Sequence, residues 1–267
     1  MESNVYIKVK SSIMHTLKID LENYKDEQMK RRLDSWLARS KVDTWKDYFY
    51  WITQDTVELE RFRNYLTINV TEFFRDQARW DSLRQEILPY LLRNATENRA
   101  LGGLKLWSAG CSIGTEPYSM AMMMTEVVPT QRYDLLATDL HRGALSKARA
   151  GGPYIQDDLR NLSAEQRRHF ISPASPYFVS EKLKKNIRFQ EQDLLADPFE
   201  KNFDLIVCRN VVIYFTTEAK DRLYRKFYEA LRPGGVLFVG GTEIISGAAN
   251  YGFQNFGISF YRKSPGK

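Results

Sequence analysis

The chain has 267 residues, of which 43% are hydrophobic and 27% charged, with a formal net charge of +6. This length and composition indicate a soluble globular protein of one large or two modest domains and exclude a disordered or fibrous chain. No apolar run reaches the ~18 residues of a membrane span and the N-terminus lacks a signal-peptide core, so we expect a cytoplasmic protein without direct membrane insertion. Cys111 and Cys208 lack metal-ligand spacing, which predicts reduced thiols and no metal.

The N-terminal part of the chain predicts helices and carries no strand alternation. One helix is predicted to start at Asp20–Tyr24 and to continue to Leu37, because apolar residues from Met29 to Leu37 recur at three- and four-residue steps. Helices over Trp45–Ile52 and Val57–Leu66 follow. The first helix carries a basic run that is either a solvated face or a docking surface for an acidic partner. The run consists of Lys30, Arg31, Arg32, Arg39 and Lys41.

A polar stretch flanked by aromatic residues runs from Asn69 to Asp76 and contains Thr71 and Arg75. One interpretation is a capping turn in which Asn69 or Thr71 begins a helix. An amphipathic helix over Trp80–Leu92 and a polar, glycine-ending linker follow. The predicted organisation is therefore a helical domain over 1–76, a linker helix and loop over 77–103, and an α/β domain over 104–267.

The α/β domain opens with a strand-length apolar run that is followed by small residues, including Gly110 and Gly114. Glu116 and Pro117 then begin an apolar helix. Strand, glycine turn and helix form the first unit of a nucleotide-binding sheet, although any tight strand-to-helix turn fits the same spacing. The glycines lack the dinucleotide spacing, so the turn suits a nucleoside without phosphates, such as S-adenosylmethionine.

Strand and helix alternate after this turn. Tyr133–Asp139 predicts a buried strand, and its terminal Asp139 is placed either to accept ribose hydroxyls or to cap the helix Gly143–Ala150. The neighbouring His141 is interpreted as a surface or capping histidine. An insertion over about 153–189 interrupts the alternation and predicts a small antiparallel β lobe.

The last third of the chain completes a sheet. Strands are predicted over Ile187–Leu194, Phe203–Cys208 and Val236–Val239, a helix over Glu218–Leu231, and a closing hairpin over 253–262. The predicted fold is α/β, a Rossmann-like open sheet with an antiparallel last strand. This is the class I S-adenosylmethionine-dependent methyltransferase fold, here with a small all-helical N-terminal domain and the β insertion.

Four stretches resemble the chemotaxis receptor glutamate methyltransferases, the CheR family, over about residues 10–262. They are Asn69–Asp76, Trp107–Ser119, Ala137–Asp139 and Cys208–Phe215. The resemblance implies methyl transfer from S-adenosyl-L-methionine to glutamate side chains on the cytoplasmic domain of methyl-accepting chemotaxis receptors. The products are glutamate 5-O-methyl esters, used for adaptation, and S-adenosyl-L-homocysteine. We expect a monomer that does not act on nucleic acid.

The resemblance also implies a set of site residues. With Gly110 of the turn, the cofactor-binding residues are Asn69, Thr71, Arg75, Glu116, Asp139, Asp193, Leu194, Arg209 and Asn210. Arg75 is expected to pair with the carboxylate of the cofactor's methionine part, Asp139 to hold the ribose, and Asp193, often Asn in the family, to lie near the adenine amine. Tyr214 is expected at the mouth of the site, so Tyr214 and Arg75 position the reactants and no general base is needed.

Two alternative functions stay open. The first is methylation of nucleic acid or of another protein, for which Asn210 and Tyr214 after a strand are the motivation. Amino-methylating enzymes have Pro-Pro between such residues, whereas this chain has Val211-Val212. The second is a non-catalytic module that senses the cofactor and binds a receptor, since retained Arg75 and Asp139 indicate binding but not turnover.

Overall fold

The computed structural model describes residues 1–66, 71–98, 103–130 and 132–264. The chain divides into two compact units, one formed by 1–69 with 214–221 and the other by 70–213 with 222–267. The expected cofactor residue Asn69 lies outside the described residues. Within the described ranges, no helix combines the length and apolar character needed to cross a membrane.

The first unit is helical. Its helices are α1, Ser3–Leu17; α2, Asp26–Leu37; α3, Trp45–Ile52; and α4, Thr56–Leu66. Helix α1 is not among the predicted elements, although its buried residues recur at three- and four-residue steps from Tyr6 to Leu17. Helix α2 ends at Leu37, so Arg39 and Lys41 lie beyond the helix that was predicted to carry them.

A short segment from later in the chain belongs to this helical unit. Phe215 forms an antiparallel bridge with Tyr24, and the centroids of the two rings are 5.3 Å apart. The carbonyl of Tyr214 accepts the N–H of Lys25 at 3.0 Å, next to the start of α2. The beginning of α2 is therefore tied to the residues that follow the fourth strand of the sheet.

The second unit contains a seven-stranded sheet in the order β3-β2-β1-β4-β5-β7-β6. Its strands are β1, Leu104–Ala109; β2, Tyr133–Asp139; β3, Ile187–Glu191; β4, Phe203–Cys208; β5, Leu231–Val239; β6, Phe253–Asn255; and β7, Phe260–Lys263. Strands β1 to β5 pair in parallel, while β7 pairs antiparallel with β5 and β6. The predicted class I fold is confirmed, and the strand order reverses between β1 and β4.

The helices of the second unit cover the sheet. They are α5, Gln77–Ser82; a π-helical turn, Leu83–Ile87; α6, Leu88–Asn98; α7, Thr115–Val127; α8, Arg142–Ala150; α9, Ala164–Phe170; and α10, Glu181–Lys184. The helix α11, Thr217–Ala230, is divided between the two units. Trp80 and Leu91 are buried in the same core cluster as Leu106 of β1. The segment predicted as a linker helix therefore packs within the second unit.

The insertion contains less regular pairing than was predicted. Its antiparallel pairing consists of isolated bridges, Tyr154 with Tyr177 and Ile171 with Val179, and the described insertion residues form no extended ladder. Pro176 stands directly before a bridge residue and has no N–H to donate, which limits the pairing. Helix α9, between the bridges, begins at a capping box formed by Ser163 and Gln166.

Candidate functional site

The predicted site residues lie where the parallel strands end. The loops after β1, β2, β3, β4 and β5 all leave from the carboxyl edge of the sheet. Ligands of open α/β sheets bind at this edge, in the crevice where the strand order reverses. Here that crevice lies between β1 and β4, beside the turn that contains Gly110.

The turn after β1 is closed against the end of β2 by backbone hydrogen bonds. The N–H groups of Gly110 and Cys111 both donate to the carbonyl of Thr138, at 2.8 and 2.9 Å. The N–H of Ser112 donates to Oδ2 of Asp139 at 2.7 Å. Because these donors are already used, they cannot cradle a pyrophosphate, which agrees with the predicted preference for a nucleoside without phosphates.

Both glycines of the turn are required by close approach of neighbours. Gly110 has φ +89°, and a Cβ there would lie 2.5 Å from Cγ2 of Val211 in the loop after β4. Gly114 has φ +93°, and its Cβ would lie 2.9 Å from the Cβ of Ala148 on α8. The space above Gly110 is therefore filled by the Val211 side chain.

Asp139 holds two loops together at the end of β2. In addition to the N–H of Ser112, it accepts the N–H of His141 at Oδ1, at 2.8 Å. Burial raises the pKa of Asp139, and the hydrogen bonds from His141 and Ser112 oppose this rise. The buried His141 is the residue that caps α8, because its Nδ1 accepts the N–H of Ala144 at 2.7 Å.

Arg209 and Glu116 form a charged cluster near the switch point. Arg209 is only 8% exposed, and its Nη2 is 3.6 Å from Oδ2 of Asp76. Its buried Nε has no hydrogen-bond partner among the residues that the structure describes. Oε1 of Glu116 accepts the hydroxyl of Ser108 at 2.7 Å. Burial raises the pKa of Glu116 to about 7, against the positive charges of Arg209 and Arg75. This cluster offers a cationic donor and an anionic acceptor to one ligand.

The polar stretch before α5 packs along the beginning of α7. Oγ1 of Thr71 lies 2.5 Å from Oγ1 of Thr115, and the N–H of Phe74 donates to Oγ of Ser119 at 2.9 Å. The positive charge of Arg75 lowers the pKa of the Glu116 carboxyl and of the Arg209 guanidinium. Thr71 and Arg75 thus belong to the same region of the second unit as the charged cluster.

The loop after β3 contains Asp193 and the buried Leu194. Oδ1 of Asp193 accepts the N–H groups of Leu195 and Ala196 at 2.8 and 3.4 Å. This oxygen therefore stabilises the turn that begins at Asp193. Lys226 of α11 donates from Nζ to the carbonyls of Leu194 and Asp197, both at 2.8 Å. Lys226 was not predicted, and nothing near it in sequence indicates that it fastens this loop.

Glu243 is a second unpredicted residue of the site. Its Oε2 accepts the N–H groups of Asn210 and Gly240, each at 2.7 Å. Asn210 itself has a left-handed backbone with φ 60°. Asp139 was predicted as a site residue because it is an acid at the end of a strand. Glu243 follows β5 by a few residues, so the same criterion could have found it.

The comparisons with known proteins agree with this architecture. The family described as "CheR methyltransferase, SAM binding domain" matches residues 69–261, and "CheR methyltransferase, all-alpha domain" matches residues 6–67. The chain belongs to the CheR methyltransferase family. It is therefore an enzyme of the methyltransferase class with a domain that binds S-adenosylmethionine.

Curated relatives cover nearly the whole chain. The chemotaxis protein methyltransferase of Listeria monocytogenes is 46% identical over 254 residues, 94% of each chain. That of Listeria innocua is 44% identical over 253 residues, again 94% of each chain. The probable chemotaxis protein methyltransferase of Rhizobium etli is 38% identical over 74% of this chain and 76% of its own length.

A separate cleft of this CheR-family chain has a volume of about 470 Å³ and lies between α5, α7 and α9. Trp80 and Phe170 line it together with Asp81 and Glu165. None of the expected cofactor residues lines this cleft, which is therefore distinct from the carboxyl-edge site. Elsewhere in the described ranges, no group of three His, Cys, Asp or Glu side chains is arranged to hold a metal ion.

The basic run of the CheR chain divides into exposed and engaged residues. Arg31, Arg39 and Lys41 are exposed. Arg32 is half-buried, donates to the carbonyl of Tyr65, and places its guanidinium 4.6 Å from the centroid of that ring. Lys30 is also half-buried and lies 5.0 Å from the centroid of the Tyr6 ring.

Tyr214 belongs to the helical unit, whereas Arg75, Glu116 and Asp139 belong to the second unit. Its interaction with Arg32 raises the pKa of that guanidinium, while burial is the larger effect and lowers it. Its placement at the mouth of the site stays a prediction.

Replacement of Glu116 should change how the free energy of unfolding depends on pH. The raised pKa means that folded Glu116 keeps its proton up to about 7, whereas the unfolded side chain loses it near its ordinary value of 4.5. Stability therefore falls as pH rises through this window, by at most ~3 kcal/mol, a limit that residual solvent exposure reduces.

The Glu116→Gln variant has no proton to release and should lack this part of the decline. Urea unfolding of both proteins at several pH values between about 4.5 and about 7 measures the difference. Parallel curves for wild type and variant would contradict the assignment.

Proposed function

We propose that this enzyme transfers the methyl group of S-adenosyl-L-methionine to glutamate side chains of chemotaxis receptors, forming glutamate 5-O-methyl esters. The proposal is supported chiefly by the two matched family domains, over 6–67 and 69–261, together with curated relatives named chemotaxis protein methyltransferase over 94% of the chain. The substrate is the cytoplasmic domain of the receptor, and the enzyme acts in the cytoplasm.

The charged cluster fits the methionine part of the cofactor. Within the described part of the chain, the buried Nε of Arg209 has no hydrogen-bond partner, and with Arg75 it supplies guanidinium donors suited to a carboxylate. Glu116, when ionised, supplies an acceptor for the α-ammonium group. A zwitterionic amino acid therefore matches the charges of this cluster.

The loops after β2 and β3 suit the nucleoside part. Asp139 lies at the end of β2, where its carboxylate accepts ribose hydroxyls, while its bonds to Ser112 and His141 hold it in place. Asp193 and Leu194 would frame the adenine, with Asp193 near its exocyclic amine. Asn69, Thr71, Gly110 and Asn210 complete the proposed cofactor site.

The chemistry requires alignment more than proton transfer. The bound cofactor supplies a methyl group on a positively charged sulfur, and a neutral thioether is left when that group departs. A glutamate carboxylate has a reference pKa near 4.3, so it is ionised at neutral pH and acts as its own nucleophile. The carboxylate oxygen bonds to the methyl carbon as the carbon–sulfur bond breaks, and no proton moves. Arg75 and Tyr214 position the reactants, and neither acts as a base.

Asp139→Ala should weaken binding of S-adenosylhomocysteine by ~1–3 kcal/mol, because the ribose hydroxyls lose a charged acceptor. Asp134→Ala is the matched control, since this acid lies on the same strand but is exposed and bonded to Arg188. Titration calorimetry on the folded variants measures both affinities. Equal affinity of the Asp139 variant and wild type would remove Asp139 from the site.

The reaction itself is tested with receptor-containing membranes and cofactor labelled in the methyl group. We expect label in the receptor band and release of labelled methanol on treatment with alkali, because carboxyl methyl esters hydrolyse readily. Receptors whose methylated glutamates are replaced by alanine are the control. Alkali-stable label would indicate N-methylation, and binding of the cofactor without transfer to any acceptor would indicate a non-catalytic module.

We further propose that the exposed basic residues of the helical unit guide the receptor. The receptor helix presents acids around its methylated glutamates, since the substrate side chain is itself an acid. Arg31, Arg39 and Lys41 are exposed, although the guanidinium of Arg39 also lies 5.2 Å from the centroid of the Tyr65 ring. Arg32 is half-buried and donates to the carbonyl of Tyr65, so it is less accessible to a partner. A positive surface raises the encounter rate with an acidic partner.

The double variant Arg31→Ala/Arg39→Ala should lower the methylation rate about tenfold at low salt while cofactor affinity stays unchanged. A Lys46→Ala/Lys201→Ala variant removes the same charge from exposed positions elsewhere and is the control. Methylation rates are compared across ionic strength, and the difference should vanish near 1 M salt, where the screening length is ~3 Å. Identical rates and salt slopes for both variants would locate the docking surface elsewhere.

A further inference from the structure

Glu243 is a buried carboxylate in the loop after β5 and is only 4% exposed. Its Oε2 accepts the N–H of Gly240 in its own loop and the N–H of Asn210 in the loop after β4, both at 2.7 Å. The N–H groups of Val212 and Ile213 also act on this carboxylate and oppose the rise in pKa that burial causes. One side chain thus gathers donors from two loops that are distant in sequence.

The backbone around Glu243 is shaped to admit this carboxylate. A Cβ at Gly240 would lie 2.5 Å from Oε2 of Glu243 and 3.1 Å from the backbone nitrogen of Asn210. Asn210 holds a left-handed conformation with φ 60°, which is costly for a residue other than glycine. The hydrogen bond to Glu243 fixes the peptide that links Arg209 to Asn210.

The same carboxylate contributes to the charge balance of the site. Burial lowers the pKa of Arg209, and the negative charge of Glu243 opposes that fall. Burial raises the pKa of Glu116, and the charge of Glu243 adds to that rise. Burying an acid costs free energy unless hydrogen bonds compensate, and a simple structural bond between two loops does not require a charged group. The interaction of the negative charge of Glu243 with Arg209 gives a reason for a charged group at this position.

We propose that Glu243 is a positioning residue for methyl transfer, which clamps the Arg209–Asn210 peptide to the β5 loop and thereby aims Arg209 at the carboxylate of the bound cofactor. This inference deepens the proposed function and rests on its assignment of Arg209 and Asn210 to the cofactor site. It assigns Glu243 no contact with the reacting atoms.

Glu243→Ala removes the clamp and should weaken binding of S-adenosylhomocysteine about 10-fold to 100-fold, measured by calorimetry on folded protein. Glu243→Gln keeps one acceptor oxygen for the N–H groups of Asn210 and Gly240 but removes the negative charge. It should give an intermediate loss of affinity and a raised KM for S-adenosylmethionine.

Asp204→Asn is the matched control for loss of stability alone. Asp204 is a fully buried acid of β4 that pairs with Arg232 and accepts the N–H of Lys105 at 2.6 Å. Asp204 stands near the opposite end of β4 from Arg209, so its variant should unfold more easily while cofactor affinity stays unchanged. A structural role of Glu243 would give the same pattern as Asp204.

The outcomes separate this inference from the proposed function. If wild type fails to bind S-adenosylhomocysteine, the proposed function itself is wrong. If wild type binds and both folded Glu243 variants bind equally well, the positioning role is overturned. If Glu243→Ala does not fold, Glu243→Gln decides by the same titration, because unchanged affinity and KM overturn the role and a graded loss supports it.

Discussion

Carboxylates that accept backbone N–H groups hold the loops at the carboxyl edge of the sheet. Asp139 joins the loops after β1 and β2 through Ser112 and His141. Glu243 joins the loops after β4 and β5 through Asn210 and Gly240. Strand pairing ends at this edge, so the loops cannot hold one another by a ladder, and charged acceptors form stronger bonds to N–H groups than neutral acceptors do.

This arrangement determines what kind of ligand the edge accepts. The turn after β1 has already used the N–H groups of Gly110, Cys111 and Ser112 within the protein, which leaves few donors for phosphate. Near this turn lie the buried carboxylates of Glu116 and Asp139 and the guanidinium of Arg209. Carboxylates attract hydroxyl, amine and ammonium groups, and arginine attracts a carboxylate. The chemistry therefore fits a nucleoside joined to an amino acid.

The same acids carry an electrostatic cost. Burial raises the pKa values of Glu116, Asp139 and Glu243, so each carboxylate is harder to ionise than in water. Arg209 moderates this for Glu116, and backbone N–H groups do so for the other two acids. The neighbours offset only part of the effect of burial, so the ionisation of these acids depends on where the neighbours lie.

The sequence alone determined the elements whose signal is local. Trp45–Ile52, Tyr133–Asp139 and Phe203–Cys208 have the predicted bounds, because apolar periodicity and capping residues act within a few positions. Asp139 was located by the same local logic, as an acid at the end of a buried strand. Tertiary structure decided the rest: the hydrogen bonds of Glu243 to Asn210 and of Lys226 to Leu194 span 33 and 32 residues of sequence. No periodicity encodes such a partner, since only the folded sheet brings the ends of separate strands to one edge.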